Sequence, residues 1–355
     1  EGYELSVTAD HKIRTPNGWV ETQNLSEGDE VQIQNRKGGF GAGGSLEEGR
    51  VLGWLIGDGF INNEVECAVL SFFDEDRQIA QQMADAVNKT VRPSVNNREY
   101  EITTVEVPRP DRDKPSETRV QSKRLYELVE DDGLLDEKHQ VPGRVIRGSE
   151  EMARGYLQAL FSADGGVQGT AANGSSVRLA SVSKDLLKDV QRLLLNFGIY
   201  STLYTDRKPE GTKMLPDGQG GRKEYDVQAF HDLVVSKDDL VRFRDEIGFL
   251  IDYKSEQLDE LLDSYTKGPY SRAFTATVDE IRNRGVEPVY DLTEPNTHSL
   301  VGNGIVIHNC GEQILPVGGV CLLGNFNLTQ LMKEDRSGFD YDLLETLVPR
   351  AVRFL

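Results

Sequence analysis

Two stretches of the chain repeat one pattern of apolar and small positions. Val51–Phe60 reads VLGWLIGDGF and Leu157–Gly166 reads LQALFSADGG. Aligned on Asp58 and Asp164, Gly53 matches Ala159 and Gly57 matches Ala163. Positions four apart share one face of a helix. Each stretch therefore predicts a helix with a seam of small residues, able to lie close against the other. Ser45 with Glu48 forms a capping box ahead of the first, and Ser149 with Glu150 and Glu151 plays a similar part for the second. After each Asp a similar succession follows. Val65–Phe72 is strand-like and Asp74–Asn88 helical; Val177–Val182 is strand-like, Lys184–Phe197 helical and Ile199–Tyr204 strand-like. Residues 45–97 and 149–205 thus read as two copies of one α/β unit, a single chain imitating a two-fold dimer.

The two ends have a different period. In Glu1–Gln34 the strand formers Leu5, Val7, Ile13, Trp19, Val20, Val31 and Ile33 are broken by turns at Pro16-Asn17-Gly18 and Glu27-Gly28-Asp29. Lys37–Gly44 is Gly-rich and reads as a linker. Val289–Thr293, His298–Val301 and Ile305–Ile307 are again strand-like, the last two joined by a hairpin turn at Gly302-Asn303-Gly304.

At 355 residues, two or three domains are expected, and 37% apolar content is enough to build cores. No apolar run approaches the ~18 residues of a membrane span, and the N-terminus lacks a signal-peptide pattern. Three cysteines, Cys67, Cys310 and Cys321, make no disulfide framework, so a reducing cytoplasm is the expected location. The net charge of −19 runs against the basic balance expected of a nucleic-acid binder. A salt-rich cell, with acidic surfaces and local basic strips, would reconcile the two. The candidate strips are Arg109–Arg124 and Arg207–Lys223; solvated faces are the plain alternative.

Asp58 and Asp164 carry the chemistry that the seam predicts. Two adjacent carboxylates repel unless a cation lies between them, and hard oxygen ligands suit Mg²⁺. The pattern points to a metal-dependent phosphodiesterase site on a pseudo-twofold axis. Two ordinary helices ending at Gly caps remain the alternative.

These paired motifs resemble those of LAGLIDADG homing endonucleases. Lys138-His139-Gln140-Val141-Pro142 resembles the Lys-x-x-Pro element preceding the second motif, and Phe243–Leu261 resembles the helical end of that domain. The flanks resemble an intein. Thr8 and His11, followed by a GW…L…GD pattern, are similar to its second conserved block, and the run from Val289 to Cys310 is similar to its last two. The resemblance implies an α+β chain: an all-β horseshoe splicing domain formed by both ends, with a pseudo-twofold α/β endonuclease inserted. The boundaries it implies are 1–36 and 270–309 for the splicing domain, 45–265 for the endonuclease (repeats about 45–107 and 149–250), and 310–355 for a host segment. It further implies Mg²⁺ at Asp58 and Asp164, no cofactor for splicing, a monomer, and an extended pseudo-palindromic site in double-stranded DNA. Lysines often assist in this family; Lys184 is the candidate here, with a solvated helix lysine as the plain alternative.

Splicing chemistry fits His308-Asn309-Cys310. The Asn309 carboxamide can attack its own main-chain carbonyl and close a succinimide, with proximity supplying much of the rate. An imidazole, from adjacent His308 or from His298, can polarise that carbonyl or protonate the leaving amine. Cys310 supplies a thiolate to receive the upstream chain. Asp291 resembles the family's acid that tunes these transfers. Family members begin with a Cys or Ser nucleophile, whereas these residues begin Glu1-Gly2-Tyr3. Cleavage before Cys310 is therefore expected in place of complete splicing, or trans-splicing where the missing piece is supplied.

Beyond the junction, Cys310-Gly311-Glu312-Gln313 and Cys321–Leu328 resemble the active-site region of adenosylcobalamin-dependent ribonucleotide reductases. That implies flanking reductase exteins, with Cys310, Glu312 and Cys321 as host active-site residues and adenosylcobalamin needed only by the complete host enzyme. Two other readings follow: a vitamin B12-dependent ribonucleoside-diphosphate reductase, and a DNA-binding protein with catalytically dead repeats.

Overall fold

The computed structural model of the chain describes residues 2–91, 101–108, 117–135, 137–170, 172–216, 221–265, 273–290, 292, 294–309, 331–333 and 338–354. Three short strands come first: β1 (Lys12–Thr15), β2 (Gly18–Glu21) and β3 (Glu30–Gln32). The first repeat follows as α1 (Leu46–Ile56), β4 (Gly59–Asn62), β5 (Cys67–Phe73), α2 (Ala80–Thr90), β6 (Thr104–Val107) and β7 (Glu117–Ser122). Then α3 (Lys123–Asp131) and the short α4 (Gly143–Ile146) lead to the second repeat. That repeat contains α5 (Glu150–Asp164), β8 (Gly165–Thr170), β9 (Gly174–Ser181), α6 (Lys184–Asn196) and β10 (Ser201–Lys208). A ribbon of β11 (Gly211–Pro216) and β12 (Arg222–Val227), then β13 (Phe230–Ser236), completes it. The remaining elements are α7 (Asp239–Glu246), α8 (Asp252–Asp263), β14 (Thr275–Thr277), β15 (Ser299–Gly302), β16 (Ile305–His308) and α9 (Tyr341–Phe354).

The fold is mixed α and β, and the repeat is visible in the sheets. One runs β4-β5-β7-β6 and the other β8-β9-β13-β10, so corresponding strands occupy corresponding places. Both repeats start from serine-capped helices. Ser45 accepts from Glu48 N at 3.1 Å and Ser149 from Met152 N at 3.2 Å. The two helices are central, and most of their length beyond the first turn is buried. Trp54, Leu55 and Ile56 of α1 and Tyr156, Leu160 and Phe161 of α5 are all buried in one core. The Trp54 indole donates to Ser71 O at 2.9 Å and so ties α1 to β5.

The two ends of the chain share sheets. β1 pairs with β16 through Ile13↔Ile307, and β3 pairs with β14 through Val31↔Ala276. Their small core of Ile13, Val31, Ile33, Ala276, Ile305 and Ile307 also takes in Leu195 and Tyr200 from the second repeat. The strands at the ends and both repeats accordingly form one compact unit, Glu1–Gly285 with Leu300–His308. A second unit comprises Val286–Ser299 and Asn309–Leu355.

Several expectations need correction. Val289, Tyr290 and Leu292 are irregular and exposed (63, 93 and 66%), not a strand, because no neighbour among the described residues buries their apolar surface. Asp74–Asn88 is divided into a 3₁₀ turn at Asp74–Ile79 and then α2, with Asp74 at φ +41°. β4 and β8 were not anticipated. They follow the acids at once because Gly59 and Gly165 let the chain fold back on its own helix. A methyl group at either would lie 2.6 Å from the carbonyl oxygen of Leu55 or Phe161.

Candidate active site

The seam between α1 and α5 is closer than side chains would allow. A methyl group on Gly53 would lie 2.2 Å from Tyr156 O, and one on Gly57 would lie 2.5 Å from Ala163 Cβ. Gly49 and Gly155 extend the same seam one turn back, facing Met152 O and Leu46 O at 2.1 and 2.2 Å. They occupy equivalent places in the two repeats, nine residues before the acids, which sequence reasoning overlooked.

At the end of this seam the two acids converge. Asp164 is the last residue of α5, and Asp58 follows the Gly57 cap of α1. The methyl position on Gly57 lies 3.4 Å from Asp164 Oδ2, so the residue before one acid stands beside the carboxylate of the other. Packed protein around the Asp164 carboxyl, together with the charge of Asp58, pushes it up to about 6, though part of the residue reaches solvent. Burial raises Asp58 as well.

Two lysines attend these acids in matched fashion. Lys138 Nζ donates to Gly57 O (3.2 Å) and Gly59 O (2.5 Å), the residues on either side of Asp58. Lys254 Nζ donates to Ala163 O (3.3 Å) and Gly165 O (2.9 Å), on either side of Asp164, and to Ser162 O (2.5 Å). Burial lowers both ammonium groups; Asp164 and Asp58 oppose that shift at Lys138, and Asp76, Asp58 and Asp164 oppose it at Lys254. Lys184, the lysine expected from the sequence, instead pairs with Glu4 at 3.3 Å. Lys254 was missed, although a signal existed: it stands with Leu258 and Leu261 of α8, and with Ile251 just before that helix, on an otherwise apolar stripe, and all four are buried. Asp76 was missed too. It is lifted to about 6 by burial, held back by Lys254 and pushed further by Asp58.

The donor set fits a hard divalent ion. Among the described residues no three His, Cys, Asp or Glu side chains gather as a cage. Two mutually repelling carboxylates suit Mg²⁺, which keeps waters and accepts phosphate oxygens in its remaining positions. On each sheet an arginine lies over an exposed aromatic ring: Arg119 over Phe60 (5.4 Å) and Arg207 over Tyr204 (5.3 Å). The candidate basic strips are partly neutralised, since Arg119 binds Glu117 (2.6 Å) and Arg207 lies 3.5 Å from Asp232. Residues 109–116 and 217–220 of those strips lie outside the described residues.

The residues expected to splice are distributed over both units. In the first, Thr8 is exposed and its carbonyl accepts from His11 N at 3.1 Å. The His11 carbonyl takes both the N–H and the hydroxyl of Thr22 (2.8 Å each), while its Nε2 is buried without a partner among the described residues. His308, at the end of β16, sets its ring edge-on to Trp19 at 5.0 Å. In the second unit, Asn309 is buried and its N–H donates to His298 O at 3.0 Å. His298 is therefore engaged through its carbonyl, with an exposed side chain and φ +51°. Asp291, Cys310, Glu312 and Cys321 lie outside the described residues.

Fold and site together define a class: an α/β unit repeated about two seam helices, each with an acid at or just beyond its C-terminal end. Residues 151–248 match the family of LAGLIDADG-like domains. Over 352 residues the chain is 30% identical to the ribonucleoside-diphosphate reductase NrdEB subunit alpha of Bacillus subtilis (strain 168), covering 96% of this chain and 32% of that protein. Over 176 residues it is 30% identical to a DNA polymerase of Thermococcus hydrothermalis, covering 48% of this chain and 10% of the polymerase. The chain thus spans about a third of the length of the reductase relative. Among solved structures, the crystal structure of I-DmoI in complex with DNA and Ca aligns with 61% of this chain and 97% of that one, at 19% identity and a TM-score of 0.37.

Proposed function

We propose that the chain is an intein fragment that carries a LAGLIDADG homing endonuclease and lies within a ribonucleotide reductase gene. The observation that carries the nuclease half is the pair of acids at the end of a glycine seam, each flanked by a lysine bound to its neighbouring carbonyls. The relatives support the inserted-element reading. A reductase subunit and a DNA polymerase do different chemistry, yet each aligns with this chain over only a fraction of its own length.

Asp58 and Asp164 would hold Mg²⁺, which supplies charge neutralisation at the phosphates and an acidified water. Lys138 and Lys254 fix the main chain on both sides of the acids, so the carboxylates cannot splay apart under their repulsion. Their ammonium groups also add positive charge where a phosphate would develop negative charge. The arginine–aromatic pairs on the sheets suit phosphate and base-edge contacts in a groove of double-stranded DNA, one repeat per half-site. A pseudo-twofold axis within one chain suits a monomer, and the cytoplasm suits both partners, DNA and reductase exteins.

In the splicing half, Asn309 would cyclise and release the segment beginning at Cys310, with no cofactor. Thr8, His11, His308 and Asp291 would serve the junction chemistry, and Cys310, Glu312 and Cys321 would serve the host, whose adenosylcobalamin belongs to the complete reductase.

Cleavage of a plasmid bearing the empty insertion site, with Mg²⁺, tests the nuclease. Wild type is expected to cut both strands, and Asp58→Asn and Asp164→Asn to lose at least a hundredfold in rate. Cutting unaffected by either substitution would reject the site. A DNA-binding protein with dead repeats would instead bind the site without cutting it.

A further inference from the structure

Asn309 is held by a loop that one side chain closes. The Glu294 carboxylate accepts from Asn296 N (3.0 Å), Thr297 N (2.5 Å) and Thr297 Oγ1 (2.7 Å). The Thr297 hydroxyl is in turn 2.8 Å from Ser299 Oγ. Between them stands His298, in the left-handed region at φ +51°, where a non-glycine residue costs energy and persists only when its surroundings impose it. The loop closed in this way grips Asn309 twice. His298 O accepts its main-chain N–H, and Leu292 O and Glu294 O accept its side-chain Nδ2 at 3.1 and 3.4 Å. The other side-chain atom, Oδ1, is buried and has no partner among the described residues.

This arrangement suits the carboxamide as a nucleophile. Two carbonyl acceptors on Nδ2 fix the rotation of the carboxamide plane, and with it the direction of the nitrogen's electron pair, which is perpendicular to that plane in any amide. Orientation of this kind is where most of the gain in an intramolecular reaction arises. The loop is held by charge-assisted hydrogen bonds, about twice as strong as neutral ones. The three N–H and O–H donors hold the Glu294 carboxyl down at about 2, so it is ionised at any pH where the protein would be handled.

We propose that Glu294 is a positioning residue for bond cleavage at Asn309, closing the turn whose carbonyls aim the asparagine carboxamide. The inference rests on the splicing reading above. In the step it serves, Asn309 Nδ2 forms a bond to its own main-chain carbonyl carbon. The bond from that carbon to the Cys310 nitrogen breaks, and its electron pair stays on the nitrogen, which takes the proton lost by Nδ2. No water, oxidant or reductant enters, so the succinimide-ended fragment and the released segment together have the mass of the intact chain.

The test follows the release of residues 310–355 from the full purified chain by intact mass at neutral pH, for wild type, Glu294→Gln, Glu294→Asp and Asn309→Ala. Wild type is expected to release the segment and Asn309→Ala to retain it. Glu294→Gln presents an NH₂ group to donors that need an acceptor, so its rate is expected to fall roughly tenfold, with Glu294→Asp recovering most of the loss. The thermal midpoint of Glu294→Gln and Glu294→Asp should match that of wild type, because the Glu294 hydrogen bonds lie at the surface. Release from Glu294→Gln at the wild-type rate overturns the inference, as does an equal loss in Gln and Asp. Failure of wild type to release anything overturns the splicing reading itself, a result distinct from both.

Discussion

Asp164 titrates in an observable window, and the sign of its effect on stability is fixed. Its carboxyl stands at about 6 in the folded chain against an ordinary value of 3.8. A raised carboxyl means that the unfolded chain releases its proton first as pH rises. Metal-free stability is therefore greatest below about pH 4 as far as this group is concerned, and it falls as pH climbs to about 6. Asp76, also at about 6, adds to the same trend. Thermal unfolding without metal should show a falling midpoint across that window, and Mg²⁺ should reverse the loss above it. In Asp58→Asn the fall should shrink, because the charge of Asp58 is one cause of the shift. Lys254 acts in the opposite sense by holding Asp164 and Asp76 down. Lys254→Met should move the acid limb of the cleavage pH profile to higher pH and lower the rate by roughly tenfold or more. An unmoved acid limb would place Lys254 outside the site. Of these groups, the sequence made the two acids legible through their matched seams. Lys254 and Asp76 were not legible, because their importance comes from which distant charges the fold sets beside them.

The α1–α5 pair is the element on which the site depends, and its tolerance is narrow. Gly53→Ala gains about 1 kcal/mol in helix propensity. It also drives a methyl group to 2.2 Å from Tyr156 O, a main-chain atom that cannot turn away. Overpacking of this kind costs about 1–3 kcal/mol, and separating the helices separates the acids. A lower thermal midpoint together with slower DNA cleavage is the expected outcome. Gly166→Ala, where nothing lies within 4 Å, serves as the control and should change neither. This element was readable beforehand because a small residue every fourth position has few other uses in a buried helix. The strand expected at Val289–Thr293 shows the converse. Its alternation is genuine, but Tyr290 is 93% exposed, and strand propensity is realised only where a neighbour covers it.

For the molecule as a whole the governing quantity is the net charge of −19. Exposed pairs such as Lys89–Glu47 are worth less than about 1 kcal/mol each, so self-repulsion should outweigh them. Salt screens that repulsion over a Debye length of about 10 Å at 0.1 M and about 3 Å at 1 M. The thermal midpoint should rise between those concentrations of KCl, and a fall would mean that the ion pairs dominate. No helix among the described residues is long and apolar enough to cross a membrane. The amino-acid pattern was sufficient for the repeat, the two acids at its axis and the kinship of the two β-rich ends. Those features are written in local periodicity, in steps of two or of four, which a chain carries wherever it folds. Only the tertiary structure decided that Lys138 and Lys254 clamp the acids' neighbours, that Leu195 and Tyr200 join the small core at the chain's ends, and that Glu294 closes the loop around Asn309. Each of those depends on groups meeting across turns or long intervals of sequence, and such meetings are set by packing geometry rather than by any period along the chain.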